Sequence, residues 1–488
     1  MAYTAASTCS AGKCIAPTSI SCDDGLECTT DSCDGTNGCG HVNVAWGTAC
    51  TTGTSAQKYQ FCAAALCTGV EEANTLLNAT DNIGGLFGID RYASTNISAS
   101  GYEGTVTGGP GGNTTYSGRM ATIAESPLGI GGNATGASST AFYDQRSRLA
   151  VGGSITVLND ANPATMIINP NTGIWGGGGP SLTGFSRTLR AVDVFTAKSG
   201  DESYVFGGYS SANGSVGGIT STLAWSTYDG FTWTTPTRLV VSNSFAACAQ
   251  TTFNVNDIYA AGNGQVYIAG QTPGSGVGTS GTTGIATWDG NATTTCGVTT
   301  GVGGVAYTDM NAYSTSFTSA TSAAFGNLRA IHGTSATHML AGGEGGTLIA
   351  YDGVKWTQVT PKPAITPAAW GANFQVRSIY LNGSDGWVAG AYLTSSGGVC
   401  SDWFVLHGTY TAGPSLNPTW TWDKVVLTNL DLHICNNNAV LNNGPWKIWV
   451  DPSTASVYLV GNTQTDITGT PSSQGTQTRP EVLRIKMK

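Results

Sequence analysis

One short phrase recurs along this chain in loosened copies, and it narrows the available folds more than any other feature. It reads TAFYDQRSRLAVGG from Thr140, LRAVDVFTAKSGDESYVFGG from Leu189, VNDIYAAGNGQVYIAG from Val255, LRAIHGTSATHMLAGG from Leu328, VRSIYLNGSDGWVAG from Val376 and WKIWVDPSTASVYLVG from Trp446. These six copies start 49, 66, 73, 48 and 70 residues apart. Each copy holds an alternating apolar run, a polar turn, and a second run ending in Ala-Gly or Gly-Gly, or in the last copy Val-Gly, the pattern of two half-buried antiparallel strands. A third run closes on Asp-Gly in STYDGFTW ending at Trp233, in ATWDGN through Trp288, and in IAYDGVKW ending at Trp356. Asp-Gly tolerates positive φ at both central turn positions and so marks a hairpin.

Helical periodicity is almost absent after about residue 75, and several strands per repeat of about 40 to 70 residues predict the blades of a β-propeller. The stretch RMATIAESPLGIGGN from Arg119 mimics the phrase once more, so the expected count is six or seven, with seven preferred. Small residues ending the second strand are expected to let backbones converge near the propeller axis. The C-terminal PEVLRIK reads as a last strand, and pairing it with a strand from the other terminus would close the circle and leave no open sheet edge.

Ahead of the repeats the text is different. Of thirteen cysteines, nine lie close together: Cys9, Cys14, Cys22, Cys28, Cys33, Cys39, Cys50, Cys62 and Cys67. A segment so poor in large apolar side chains cannot bury enough surface to offset its chain entropy, so covalent bridges are the expected substitute. Zinc fits less well, because no Cys-x-x-Cys pair occurs and His41 is the segment's one histidine. The expected organisation is a disulfide module over residues 1–70 and an all-β propeller over residues 75–488. Downstream, Cys248 with Cys296 and Cys400 with Cys435 are the expected local bridges, the first closing a loop of roughly 50 residues for about 4 kcal/mol in the chain-entropy model. Nine is odd, so one cysteine of the module is free, tied to the body, or bridged to another molecule.

Three resemblances follow from these residues. CDDGLECTTDSCDGTNGCGHVNVAWGTAC, from Cys22 to Cys50, resembles the cysteine-rich repeat of surface and secreted proteins of myxobacterial type. That resemblance implies a rigid stalk or spacer with no enzymatic role. The longer phrase, best matched from Leu328 to Trp356, resembles the repeat of secreted bacterial propellers, many of them myxobacterial surface proteins. STYDGFTW is similar to the Asp-box of sialidases, except that Asp229 sits one place late, directly before Gly230; even a faithful Asp-box is a structural turn.

Charge bounds the partners. Only 10% of residues are charged, against roughly 25% in an average soluble protein, a composition common at cell surfaces. A net charge of -9 and no basic cluster beyond RIKMK argue against nucleic acid. No stretch of about 20 residues is apolar enough to span a bilayer. The first twenty residues lack the basic start and apolar run of a secretion signal, so an exported protein would have lost its leader.

Catalytic candidates are sparse. Glu344, Asp385 and Asp402 are scattered rather than paired as glycoside hydrolysis requires. His332, His338, His407 and His433 show no metal or triad spacing, and the first two are expected on the blade surface. Asp23, Asp24, Asp31 and Asp34 lack the spacing of a calcium loop and read as turn formers. Neither metal nor cofactor is expected. Trp370 in PAAWGANF and Trp446 in NNGPWKIW lie beside blade starts and are the candidate contact residues, whereas Trp233 and Trp356 are expected in the core. The resulting expectation is a non-enzymatic extracellular or cell-surface binding or adhesion protein, whose partner is a protein or glycan on a cell surface or copies of itself. A structural subunit of an extracellular filament or surface assembly is the alternative, and a sialidase-like or other glycan-active enzyme comes third.

Overall fold

The alternating runs pair within each repeat, in chain order. In the copy from Leu328, strands Leu328–Ser335, His338–Gly343, Leu348–Tyr351 and Trp356–Gln358 form one four-stranded antiparallel sheet. The computed structural model describes residues 8–10, 13–15, 20–34, 38–44, 46–52, 58–75, 83–92, 96–107, 113–126, 128–139, 148–151, 155–159, 164–168, 175–177, 188–196, 202–209, 223–228, 234, 237–242, 254–262, 264–271, 283–288, 302–309, 327–354, 356–359, 374–393, 400–411, 419–425, 433–435, 444–451, 453–463 and 479–487. Among them the one helical piece is the 3-10 turn Glu344–Gly346.

The same meander recurs in sheets that begin with Ile83–Tyr92, Arg148–Val151, Thr188–Thr196, Asn254–Ala260, Phe374–Asn382 and Gly444–Asp451. These first strands pack side by side in chain order, and Gly444–Asp451 returns to contact Ile83–Tyr92. The series therefore comes full circle, and the first strand of every sheet is the innermost. This is the all-β arrangement of a propeller. Its core lies between the sheets: Val255, Ile258 and Ile268 pack on Val205 and Leu223 of the sheet before, and Val376 and Ile379 pack on Leu340 and Leu348. Trp356, expected in the core, is buried among Tyr267-side residues of the preceding sheet; Trp233 lies outside the described residues.

Two copies of the phrase are out of phase with the sheets. The run ending the Thr140 copy is Arg148–Val151, an innermost strand rather than a second one. The Arg119 mimic spans Asn113–Glu125 and Leu128–Ser139, the third and fourth strands of the first sheet. In the mimic Gly131-Gly132 lie inside Leu128–Ser139 instead of ending a second strand.

The terminal glycines act within a sheet. A β-carbon on Gly343 would lie 2.1 Å from Asn327 O, on Gly390 2.0 Å from Gln375 O, and on Gly461 2.2 Å from Gly444 O. Each of these carbonyls begins the same sheet's own first strand, so the approach is not between neighbours around the axis as the sequence suggested. The preceding glycine serves the neighbour instead, Gly342 leaving room for Val376. At the Asp-Gly turn Gly353 has φ +92 and Asp352 Oδ1 accepts the Val354 N–H at 2.8 Å.

The circle is closed by both ends of the chain. Arg479–Ile485 pairs with Leu66–Glu72, which pairs in turn with Lys58–Ala63. The expected boundary near residue 70 thus falls inside a strand of the last sheet. Arg484 grips Glu71 with its guanidinium and donates to Glu125 O of the first sheet at 2.7 Å, while Thr68 Oγ1 donates to Lys486 O at 2.6 Å. Burial pushes the Glu71 carboxyl up, but Lys486 and Arg484 outweigh it and hold the group below its ordinary value. The cysteine module is bonded to this closure through Cys28–Cys62 and Cys50–Cys67, with Cys22–Cys39 inside the module and Cys33 also disulfide-bonded. Trp46 lays the module against the body by stacking on His407 at 4.4 Å. Cys400 and Cys435 stand directly opposite each other across Cys400–Thr411 and His433–Cys435; Cys248 and Cys296 lie outside the described residues.

Candidate functional site

The repeat carries a β-bulge at one fixed place. The register of the first strand against the second skips Arg190, Asn256, Arg329, Arg377 and Trp446, the second residue of the phrase in four sheets and the first in the fifth. A bulge adds one residue to one strand and re-aims its side chain. The extra residues form a rim where the inner strands begin. Asn256 Nδ2 donates to Leu328 O of the next sheet at 2.6 Å, and Arg329 pairs with Glu344. Arg377 lies over the Trp446 ring, 4.2 Å from its centroid, and Trp446 Nε1 donates to Asn462 Oδ1 at 2.9 Å. Trp446 is therefore on the rim, with one face covered by a guanidinium and its N–H engaged. Trp370 lies outside the described residues.

Deeper along the axis, each innermost strand has a hydrogen-bonded neighbour on one side only, so its remaining N–H groups need acceptors. The preceding sheet supplies them. Ala260 N–H donates to Asp193 Oδ2 at 2.7 Å, Ile331 N–H to Asp257 Oδ2 at 3.0 Å, Leu381 N–H to His332 Nδ1 at 3.0 Å, and Ile448 N–H to Ser378 Oγ at 3.0 Å. Four residues of three types do one job, which is why no single-residue motif betrays it in the sequence. His332 is thus at the axis and not on the blade surface as expected; its ring lies between Tyr380, stacked at 4.4 Å, and Tyr259, at 5.4 Å.

The electrostatics of this channel follow from enclosure. Asp193, His332 and Lys447 stand on innermost strands and keep some accessible surface. Burial pushes Asp193 up to about 6, against the hydrogen bonds from Ala260 and Val194 and the nearby Lys447 ammonium, while Asp257 adds to the rise. Burial, with Lys447 behind it, lowers His332 to about 3. The imidazole is neutral at ordinary pH, and because Nδ1 accepts from Leu381 the hydrogen sits on Nε2. Burial also raises the Tyr259 hydroxyl, and Asp193 reinforces the effect. One ammonium, one fixed N–H donor and a carboxyl that titrates near neutrality therefore share the axis. Sequence reading missed Asp193, Asp257 and Lys447, whose signal was their placement shortly after the bulge residue, three positions on for Asp193 and one for Asp257 and Lys447.

The other candidates are apart from this channel. Asp385 follows a turn and meets His407 Nε2 at 3.2 Å, and Asp402 stands opposite His433 in the strand register. His338 packs at 4.2 Å on Tyr410 and burial lowers its pKa. In the module His41 Nδ1 lies 2.7 Å from Asp31 Oδ1 and 3.3 Å from Asp24 Oδ2. Besides two sets of disulfide-bonded cysteines, these groups could reach a metal together, but Asp24 Oδ1 accepts from Leu26 N–H and Thr29 Oγ1, and Asp23 Oδ1 from Gly25 N–H. Asp23 and Asp24 are turn formers. Among the described residues no helix is long and apolar enough to cross a membrane.

No protein-family model matches the chain, and no curated protein sequence matches it. Among solved structures it is similar to YCF48 from Cyanidioschyzon merolae, with 12% identity, a TM-score of 0.41, and 86% of this chain and 98% of that one covered. It is also similar to the WD40 repeats of RRP9, with 9% identity, a TM-score of 0.42, and 85% and 98% covered. A PQQ-bound aldose sugar dehydrogenase from Streptomyces coelicolor matches with 13% identity, a TM-score of 0.35, and 69% and 93% covered. The fold assignment rests on the sheet order and the closed ring, and nothing these proteins bind or catalyse passes to this chain.

Proposed function

We propose that this chain is a seven-bladed propeller acting as a non-enzymatic recognition head, outside the cell or on its surface, carried by the disulfide-bonded N-terminal arm. One observation supports the reading above others. The recurring residues stitch strand to strand, whereas seven of the longer non-repeating segments connect strand ends at the rim; 289–301, between a third and a fourth strand, joins strand ends at the opposite end. Segments 210–222, 272–282 and 464–478 link second to third strands, and 243–253, 310–326, 360–373 and 436–443 lead into first strands. At the opposite end first and second strands meet through turns as short as 336–337 and 383–384. A rigid scaffold with variable connections gathered on one face is the usual way a fold carries binding residues. The partner in this reading is a glycan or protein on a cell surface. Binding of the intact protein to a glycan array and to whole cells is the test: saturable binding, lost when 360–373 with its Trp370 is replaced by a short Gly-Ser link, supports the reading, and blank results on both surfaces refute it.

A second reading, a subunit of an extracellular assembly, draws on the odd cysteine of the N-terminal nine and the weakly charged composition. Disulfide-linked multimers on non-reducing gels of native material would favour it over the first, and uniform monomers would remove it.

A further inference from the structure

We propose that the axial channel binds a small organic carboxylate, held between the Lys447 ammonium and the Nε2–H of His332. The inference is independent of the surface-recognition reading, because it concerns the middle of the ring and not its loops.

The argument starts from donors and acceptors. Both Asp193 oxygens are taken, Oδ1 by Val194 N–H at 2.8 Å and Oδ2 by Ala260 N–H at 2.7 Å, and Asp257 Oδ2 is taken by Ile331 N–H. These carboxylates serve the inner strand edges. Lys447 is half-buried and near enough to bear on both Asp193 and His332, yet among the described residues its side-chain ammonium makes no hydrogen bond or ion pair. A partly buried ammonium without a contacting anion is unfavourable, and an anion delivered from outside relieves it. His332 adds a second donor in a fixed direction: Leu381 N–H holds Nδ1, Tyr380 and Tyr259 hold the ring, and Nε2–H is left over. A donor set in place before binding removes part of the ordering cost.

Charge then selects the ligand class. With a neutral imidazole Lys447 supplies the one positive charge, and the neighbouring Asp193 is protonated below about pH 6; a carboxylate then brings the smallest negative charge and two oxygens, one for each donor. A phosphate dianion would add a second negative charge beside Asp193 and Asp257, which like-charge repulsion disfavours. A neutral amide of the same shape would leave the ammonium unpaired.

Calorimetric titration of the full chain tests this, with sodium acetate and sodium glucuronate as carboxylate probes, acetamide and methyl glucoside as neutral counterparts, and inorganic phosphate as the dianion. The site predicts saturable binding of a carboxylate, none of the neutral counterparts, weaker binding of phosphate, an affinity lower by about tenfold or more in Lys447→Met, and near wild-type affinity in Lys447→Arg. Equal responses to acetate and acetamide, tighter binding of phosphate, or undiminished carboxylate binding by Lys447→Met overturn it. Should Lys447→Met fail to fold, carbon-13 methylation of the lysines in the wild-type chain answers the same question. Acetate must then shift one lysine methyl signal, the one missing from Lys447→Arg, and a spectrum without that shift also overturns the site.

Discussion

Asp193 couples the residue scale to pH. Its carboxyl titrates at about 6 in the folded chain, against about 3.9 in an unfolded one. Between those values the native state binds the extra proton, so this residue's contribution to stability is full below about pH 4 and is lost as pH rises through 6. Glu71, held down by its cations, works in the opposite direction, so the informative quantity is a difference between variants. In Asp193→Asn an amide nitrogen must face one of two backbone N–H groups, and the variant is destabilised. Its deficit relative to wild type is expected to be larger at pH 4 than at pH 7 in urea midpoints, and a pH-independent deficit would contradict the shifted titration. Glycines divide as sharply. Gly390→Ala drives a β-carbon to within 2.0 Å of Gln375 O, whereas Gly262 has nothing within 4 Å. The first substitution is expected to cost about 2 kcal/mol or more and the second to stay within about 0.5 kcal/mol, measured by denaturant unfolding.

At the scale of elements, closure strand Leu66–Glu72 carries pairing, a buried ion pair and disulfide anchorage at once. Its neighbour Lys58–Ala63 is anchored by Cys28–Cys62, a bridge across 34 positions. Replacing both of those cysteines by serine is expected to lower stability by about 4 kcal/mol in the chain-entropy model, with melting curves still showing a folded ring. The repeat strands were legible in the sequence because their alternation and Asp-Gly turns are local signals, as in IAYDGVKW. The closure strand was not. YQFCAAALCTGVEE carries two cysteines, and composition assigns it to the module while hydrogen bonding assigns it to the last sheet. His332 was misplaced for a related reason: the phrase has Asp193, Tyr259, His332 and Tyr380 at the same position, and what they share is a direction in space.

For the whole molecule, a circle of sheets is as strong as its last joint. Deleting residues 1–57 leaves the pairing of Lys58–Ala63 and Leu66–Glu72 with the C-terminal strand in place, and a soluble folded body is expected. Deleting residues 1–75 bares the edge of Arg479–Ile485, and unpaired edges recruit other chains. Size-exclusion chromatography should therefore show a discrete peak for the first truncation and aggregates for the second. The amino-acid order alone determined that this chain builds small antiparallel sheets one after another and stiffens its N-terminal arm with sulfur, because alternation, turn residues and cysteine density act over short separations. Only the tertiary structure decided how the ring closes and what its axis presents. Leu66–Glu72 meets Arg479–Ile485, and Asp193, His332 and Lys447 meet in one channel, through contacts between residues far apart along the chain, whose meeting depends on every intervening sheet taking its place.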